Sequence, residues 1–261
     1  MNILVCLKMV SRATYTDMLC ADDASDDRLS GGAIEINPAD AYALETALKL
    51  KDRYGAYVTV LSMSPMLAEP MLRSALAMGA DEAVLVCDRI FAGSDTIATA
   101  KTLSAALKAL PRQDMIFCGS KAIDSETGHI GAQLAALNEL RYMGDVLAVN
   151  ELRDGRLCVK HAGKHGAEEY SIVLPAVFSI INGTGMIRSP TIFGLRSSAK
   201  REIRIMTGDT LHLTAEQAGK NASGTETVRI DRLSFAHRHG AYTDDVHDGA
   251  AGLAEMLECA K

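Results

Sequence analysis

Through the first 120 residues, short uninterrupted apolar runs alternate with stretches whose apolar residues recur at helical spacing. The runs are Ile3 to Leu7, Tyr57 to Ser62, Ala83 to Cys87 and Met115 to Cys118, each too short for a helix. Because they are apolar at nearly every position rather than at every second one, they predict strands buried on both faces, as in a parallel sheet. Between the first two, Leu44, Ala47, Leu48 and Leu50 mark a helix over Ala39 to Tyr54, with Asn37 as its N-cap, Pro38 at its first position and Gly55 as its stop. Leu67 to Met78, which holds Pro70 in its first turn, Ser94 to Leu110 and Thr127 to Leu140 predict three more. Strands alternating with helices in this way predict right-handed crossovers and an α/β fold, a doubly wound, mostly parallel sheet with helices on both faces.

After Leu140 the pattern changes. Val146 to Val149, Leu157 to Lys160, Tyr170 to Leu174 and Ala176 to Ile181 are short strands with turns at Asp154-Gly155 and around Gly163 to Gly166, which predicts a small antiparallel addition over roughly 145–182. From Met206 to Thr227 the chain is polar and lacks apolar periodicity, and Gly249 to Ala260 is again helical. The expected organisation is an α/β domain over 1–204 and a C-terminal arm over 205–261. A long arm inside a compact monomer is uncommon, so it is expected to pack on a partner; the alternative is a mobile tail.

The net charge of -6 and the absence of Lys/Arg-rich blocks exclude nucleic acid and anionic membranes as expected partners. No apolar run approaches the roughly 18 residues of a membrane span, and the first strand begins at Met1, so the expectation is a cytoplasmic protein without membrane insertion. The six cysteines, Cys6, Cys20, Cys87, Cys118, Cys158 and Cys259, form no CxxC pair and read as small apolar residues rather than disulfides or metal and cluster ligands.

In a doubly wound sheet ligands bind beyond the strand carboxyl ends. The candidate loops are therefore Lys8 onward, Ser62 to Ser64, Ala92 to Thr96 and Gly119 to Thr127. The stretch Gly119 to Gly131 is small and rich in hydrogen-bonding groups, and it runs into a helix whose first N–H groups are free for a phosphate. Ser125, or Glu126 to Thr127, would equally serve as a plain helix cap. Gly93 to Thr99 repeats the arrangement, with Ser94 or Asp95 as cap and the hydroxyls of Thr96 and Thr99 on one helix face. Side by side, the two loops have the reach to hold one extended dinucleotide. No GxGxxG or GxxxxGK[ST] motif is present. Ser30-Gly31-Gly32 lies too far behind the first strand to act as the loop of an ATP pyrophosphatase. The histidines are scattered, and His237-Arg238-His239 reads as a solvated part of the arm.

The order of several segments carries a resemblance: Met1 to Lys8, Ile36-Asn-Pro-Ala-Asp-Ala-Tyr-Ala-Leu-Glu45, Val60 to Met63, Ala75 to Asp81 and Lys121-Ala-Ile-Asp124. It continues through Asp88-Arg89, Phe91 to Ala100, Leu174-Pro175-Ala176 and Pro190-Thr191-Ile192, with Lys200 to Ile203 behind. Over about the first four-fifths of its length the chain resembles electron-transfer flavoprotein beta subunits. The resemblance implies a nucleotide-binding fold of the flavoprotein and universal-stress-protein superfamily. It also implies a heterodimer with an alpha subunit that carries FAD, the arm wrapping on that subunit, and electron transfer with a flavin-dependent, acyl-CoA-type dehydrogenase. The beta site of ordinary members holds AMP. In bifurcating members it holds a second FAD, which takes hydride from NADH and sends one electron to a low-potential acceptor such as ferredoxin or flavodoxin.

By position, the resemblance implies nucleotide contacts at Cys6, Asn37, Met63, Ala122, Asp124 and Thr127, with phosphate held at the helix start through Gly128, His129, Ile130 and Gly131. Thr96 and Thr99 match the stretch that holds the longer pyrophosphate of FAD, which tilts the expectation from AMP toward FAD. His129 stands where relatives have a side-chain amide, and Gly185-Met186-Ile187-Arg188 replaces their Asn-Glu-Pro-Arg, keeping only the arginine. Arg188, Pro190, Thr191 and Ile192 form the implied docking turn, with apolar Ile192 as its anchor. Two other readings remain: a stand-alone adenine-nucleotide sensor resembling universal stress proteins, and an adenylating enzyme of the pyrophosphatase type.

Overall fold

The computed structural model describes residues 1–11, 34–183, 185–226, 228 and 245–259, divided between a unit spanning Met1–Thr227 and a second spanning Val228–Lys261. Cys20, Ser30-Gly31-Gly32 and His237-Arg238-His239 lie outside the described residues.

Nine strands of the first unit make one sheet: β1 (Asn2–Cys6), β4 (Tyr57–Met63), β5 (Glu82–Val86), β6 (Met115–Gly119), β7 (Arg141–Arg153), β8 (Arg156–Gly163), β9 (Gly166–Val173), β10 (Ala176–Ile180) and β11 (Arg204–Met206). Their order is β11-β5-β4-β1-β6-β10-β7-β8-β9, and β2 (Met9–Ser11) pairs antiparallel with β3 (Ile34–Ile36) in a separate ribbon. The six strands from β11 to β10 are parallel to their neighbours, as is the start of β7 to β10; only β7-β8-β9 run antiparallel. The expected mostly parallel α/β sheet is therefore the observed one.

The strand alternation explains the two covered faces. Ile3 and Val5 of β1 point to the side of α1 (Pro38–Tyr54) and α2 (Glu69–Met78), with Leu44, Leu48 and Leu72 fully buried there. Leu4 and Cys6 point to the side of α3 (Thr96–Lys108) and α4 (Ile130–Leu137), where Leu103, Ala106 and Leu134 pack. A strand with a helix on each face has no polar side, which is why the runs read as continuously apolar.

Three sequence expectations are corrected. Ala176 to Ile181 does not belong to the antiparallel addition: β10 is inserted in parallel between β6 and β7, with Ala176 opposite Met115 and Arg141. β7 begins earlier than Val146, pairs first with β10, bends where Asp145 takes φ 47°, and only then runs against β8. The last helix of the first half starts at Ile130 rather than Thr127, because Glu126 (φ 51°) and Gly128 (φ 67°) take left-handed conformations that a helix does not allow. The turn at Asp154-Gly155 and that between Gly163 and Gly166 stand where expected.

Beyond β10, α5 (Ile192–Ser198) lies against α2; a Cβ on Gly194 would sit 2.1 Å from the Ala77 carbonyl oxygen, so the close approach requires glycine. The chain then returns through β11, which pairs with β5, and continues into α6 (Gly208–Leu211) and α7 (Gly219–Ala222). Met206, Leu211 and Ala218 are buried with the residues of α3. In the second unit, α8 (Val246–Cys259) exposes Val246, Leu253, Met256 and Leu257.

Candidate functional site

The chain leaves β1 toward β4 and β5 on one side, then crosses to β6 on the other, so the topological switch point lies between β1 and β6. The segments that leave these two strands are Leu7-Lys8 and Ser120 to His129. Both are fastened to the start of α1. Asn37 is its N-cap residue but makes no side-chain cap. Its amide instead donates to Lys121 O (3.0 Å) and accepts from Ile123 N (3.1 Å), while the residue is only 1% exposed. Asp40, three residues on, accepts from Lys8 N and from Gly119 N, both at 2.7 Å. Across the gap, Lys8 Nζ meets Asp124 Oδ1 at 2.6 Å.

Cys6, at the end of β1, is buried beside Asp40, and burial together with that carboxylate pushes its thiol up to about 12. The Cys118 thiol is raised for the same reasons, burial first and then Cys6 and Asp40. Asp40 itself is raised to about 6. Burial drives that rise, and the hydrogen bonds from Lys8, Gly119 and Asn37, with the charge of Lys8, oppose it.

The loop from Ile123 to His129 is exposed and Ala122 is half-buried. Ser125 and Glu126 N–H groups both return to Ala122 O, closing a turn before the chain reaches α4. Neither Ser125 nor Thr127 caps α4. His129 precedes its first residue without a side-chain cap, so the N–H groups of Ile130, Gly131 and Ala132, at the helix start that follows the β6 loop, are left without a side-chain acceptor. Gly131 is where α4 comes down on the sheet: a Cβ there would lie 2.8 Å from Cys118 Sγ and 2.9 Å from the Tyr142 ring.

Thr96 and Thr99 sit half-buried in the first turn of α3, and Asp95 caps that helix through Ala98 N at 2.9 Å. A phosphate at this end would therefore share the turn with a carboxylate. Thr96 Oγ1 does face α4, receiving Gln133 Nε2 at 3.4 Å, while Gln133 Oε1 is buried without a hydrogen-bond partner. An orphan amide oxygen between two helix starts calls for a ligand hydroxyl or an amide flip that presents the nitrogen to a phosphate. The residues present thus fit a phosphate-bearing nucleotide. Met63 is half-buried at the end of β4, beside β1. A cavity of about 260 Å³ lined by Thr46, Lys49, Arg53, Tyr54 and Asn150, among others, opens elsewhere, between α1 and β7, and includes none of these residues.

The structure thus gathers Cys6, Asn37, Ala122, Asp124 and Thr127 to Gly131 around the switch point, with Thr96 joined to them through Gln133. The implied docking residues form a separate group on the α1 and α2 side. Arg188 makes a fork on Glu45 (2.9 and 3.1 Å) and reaches Asp52 at 2.7 Å. Thr191 caps α5 by accepting from Gly194 N, and Ile192 stands out at 73% exposure beside Phe193 at 83%. Sequence reasoning passed over Phe193, Asp40 and Gln133. Phe193 was findable as the second apolar residue of Ile192-Phe193 in a polar stretch, whereas an acid in a first helical turn and a glutamine on a helix are too common to signal anything.

Residues 30–204 match the electron transfer flavoprotein domain family. The electron transfer flavoprotein subunit beta of Thermoanaerobacterium thermosaccharolyticum is 36% identical over 259 residues, 98% of each chain. Subunit CarD of the caffeyl-CoA reductase-Etf complex of Acetobacterium woodii is 35% identical over 234 residues, 88% of this chain and 87% of that one. The acryloyl-CoA reductase electron transfer subunit gamma of Anaerotignum propionicum is 43% identical over 172 residues, 61% of this chain and 64% of its own.

Proposed function

Because the chain belongs to the electron transfer flavoprotein family, as a beta subunit that serves electron transfer, we propose that its switch-point site holds FAD, with AMP as the alternative occupant. The uncapped start of α4, reached through the loop that leaves β6 at the switch point, carries this reading. Its free N–H groups and positive dipole end suit a phosphate, as P-loops and dinucleotide folds also exploit. Thr127 and Gly128 to Gly131 would line the phosphate. Cys6, Asn37, Met63, Ala122 and Asp124 would border the rest of the nucleotide, and Thr96 and Thr99 would take the second phosphate that FAD has and AMP lacks. The unpaired Gln133 oxygen beside Thr96 would take a hydroxyl of the longer ligand or, with the amide flipped, turn its nitrogen to that phosphate.

A bound flavin supplies the redox chemistry; the chain's own residues bind and orient it. The partner in this reading is a flavin-carrying alpha subunit, with the part of the 205–261 arm that follows the sheet domain, 228–261, wrapping on it in the cytoplasm. A flavin-dependent dehydrogenase of the acyl-CoA type docks at the Pro190-Thr191-Ile192 turn, which Arg188 holds to α1. The coenzyme-A thioester reductase complexes named for two relatives support that class of partner. A bifurcating version would add NADH and ferredoxin or flavodoxin.

The test is to co-express the chain with its alpha partner, denature the purified heterodimer, and count the nucleotides released. Two FAD and little AMP per heterodimer is the expected result. One FAD with one AMP would replace FAD by AMP in this site, and failure of the two chains to associate would remove the heterodimer reading in favour of a stand-alone sensor.

A further inference from the structure

One buried ionisable group at the switch point is not itself placed on the nucleotide but lies beside two residues that are, Cys6 and Asn37. Asp40 is 6% exposed, lies in the first turn of α1, and spends both carboxylate oxygens on main-chain donors: Oδ2 on Lys8 N and Oδ1 on Gly119 N. Lys8 follows β1 and Gly119 ends β6. A single side chain therefore ties together the two sides of the crevice. The fit leaves no slack, since a Cβ on Gly119 would lie 2.5 Å from Asp40 Oδ1 and 2.6 Å from Ala39 Cβ.

The groups facing Asp40 are Cys6 on β1, Lys8 beyond it and Cys118 on β6. Both thiols are held neutral by burial. The Lys8 ammonium is turned to Asp124, and among the described residues no cation forms an ion pair with Asp40. Its charge rests on the two main-chain N–H groups first, then on the Asn37 amide and the more distant charge of Lys8. A protonated carboxyl has one good acceptor left and turns its O–H oxygen toward a main-chain N–H that it formerly accepted from, so it cannot keep both bonds at full strength.

We propose that Asp40 is a proton-sensitive positioning residue for nucleotide binding: ionised, it holds the ends of β1 and β6 at the spacing that shapes the crevice, and protonated, it releases one of them and the nucleotide with it. The inference rests on the nucleotide reading of this site. Burial raises Asp40 to about 6, which puts the change above the range in which ordinary carboxylates titrate. The linkage signs separate positioning from unfolding. A carboxyl raised in the folded state favours folding most below its unfolded value, and loses that contribution as pH rises through about 6. Acidification therefore strengthens the Asp40 contribution to stability while it weakens nucleotide binding.

The experiment is equilibrium dialysis of the full chain against AMP, and separately FAD, from pH 5 to 8, with melting temperature followed in parallel for the wild type and Asp40→Asn. The wild type should lose about tenfold in affinity across the interval, with a midpoint near pH 6, before its melting temperature falls. Asp40→Asn, which mimics the neutral carboxyl in shape, should bind weakly at every pH with a flat profile. The wild-type curves need no variant, so the test stands if Asp40→Asn fails to fold. A flat wild-type profile, an unaltered pH dependence in Asp40→Asn, or affinity that falls only together with melting would overturn the proposal. Absence of binding to either nucleotide at any pH would instead overturn the nucleotide reading itself, and this inference with it.

Discussion

Glu45 is 5% exposed on α1, and its carboxylate is matched by the fork of Arg188, whose backbone N–H also donates to it at 3.1 Å. Removing the guanidinium would strand a buried charge, which costs far more than the pair gains net. Arg188→Ala should lower stability by about 2–4 kcal/mol in urea unfolding, and Arg188→Lys, a point charge without the fork, should recover only part of it. A loss below about 0.5 kcal/mol would mean that water reaches Glu45. The opposite behaviour is expected a few residues on. Ile192 and Phe193 touch little, so Ile192→Ser or Phe193→Ser should change stability by no more than about 0.5 kcal/mol. The same variants should weaken association with the dehydrogenase partner by roughly tenfold or more in surface plasmon resonance. Equal binding by both variants would remove this turn from the docking surface. At this scale the sequence was only partly readable: an exposed apolar pair after Pro190-Thr191 is visible in the chain, but the use of Asn37 and Asp40 to fasten distant loops depends on which strands come together.

The segment from β11 to Thr225 is fixed to the loop before α3 by two carboxylates. Asp88 accepts from Gly208 N at 2.9 Å and from Ile90 N at 3.3 Å. Asp95 caps α3 and also accepts from Gly224 N (2.7 Å) and Thr225 N (3.1 Å). The hydrogen bonds from Gly208 and Ile90 hold Asp88 below its usual range. For Asp95, burial pushes upward, but the bonds from Ala98, Gly224 and Thr225 outweigh it and the net shift is down. Groups depressed in this way stabilise the fold above the ordinary carboxylate range, and that stabilisation is lost as pH falls through their folded values. Hydrogen-exchange protection of residues 219–226, corrected for intrinsic rates, should therefore hold at pH 7 and weaken only as pH falls below the ordinary carboxylate range. Protection that shows no acid loss, or an Asp95→Asn variant that behaves as wild type, would show that other contacts hold the segment. The elements that were legible from sequence are those whose burial is local, such as β1, β4 and α1. The start of α4 was misplaced because Glu126-Thr127-Gly128 carries cap-like residues whose left-handed backbone angles no side-chain pattern reveals, and β10 was misassigned because an apolar pentapeptide does not state which strand it joins.

The two units give the molecule a natural point of division. The chain ending at Thr227 keeps all nine strands of the large sheet and the helices described on it, so it should bind nucleotide and unfold cooperatively like the full chain, yet fail to co-purify with the alpha subunit if the arm makes that contact. Retained association would place the subunit interface on the sheet domain alone. The insertion of β10 between β6 and β7 bears on how the molecule is made. During synthesis β6 leaves the ribosome long before Ala176 to Ile180, and β7 to β9 intervene. Until β10 arrives, the growing chain carries Met115 to Gly119 as an open parallel edge at its most apolar layer, a template for the wrong strand or for another nascent chain. Translation that pauses between residues 120 and 175 should therefore lower the soluble yield, whereas a pause after β10 should be harmless.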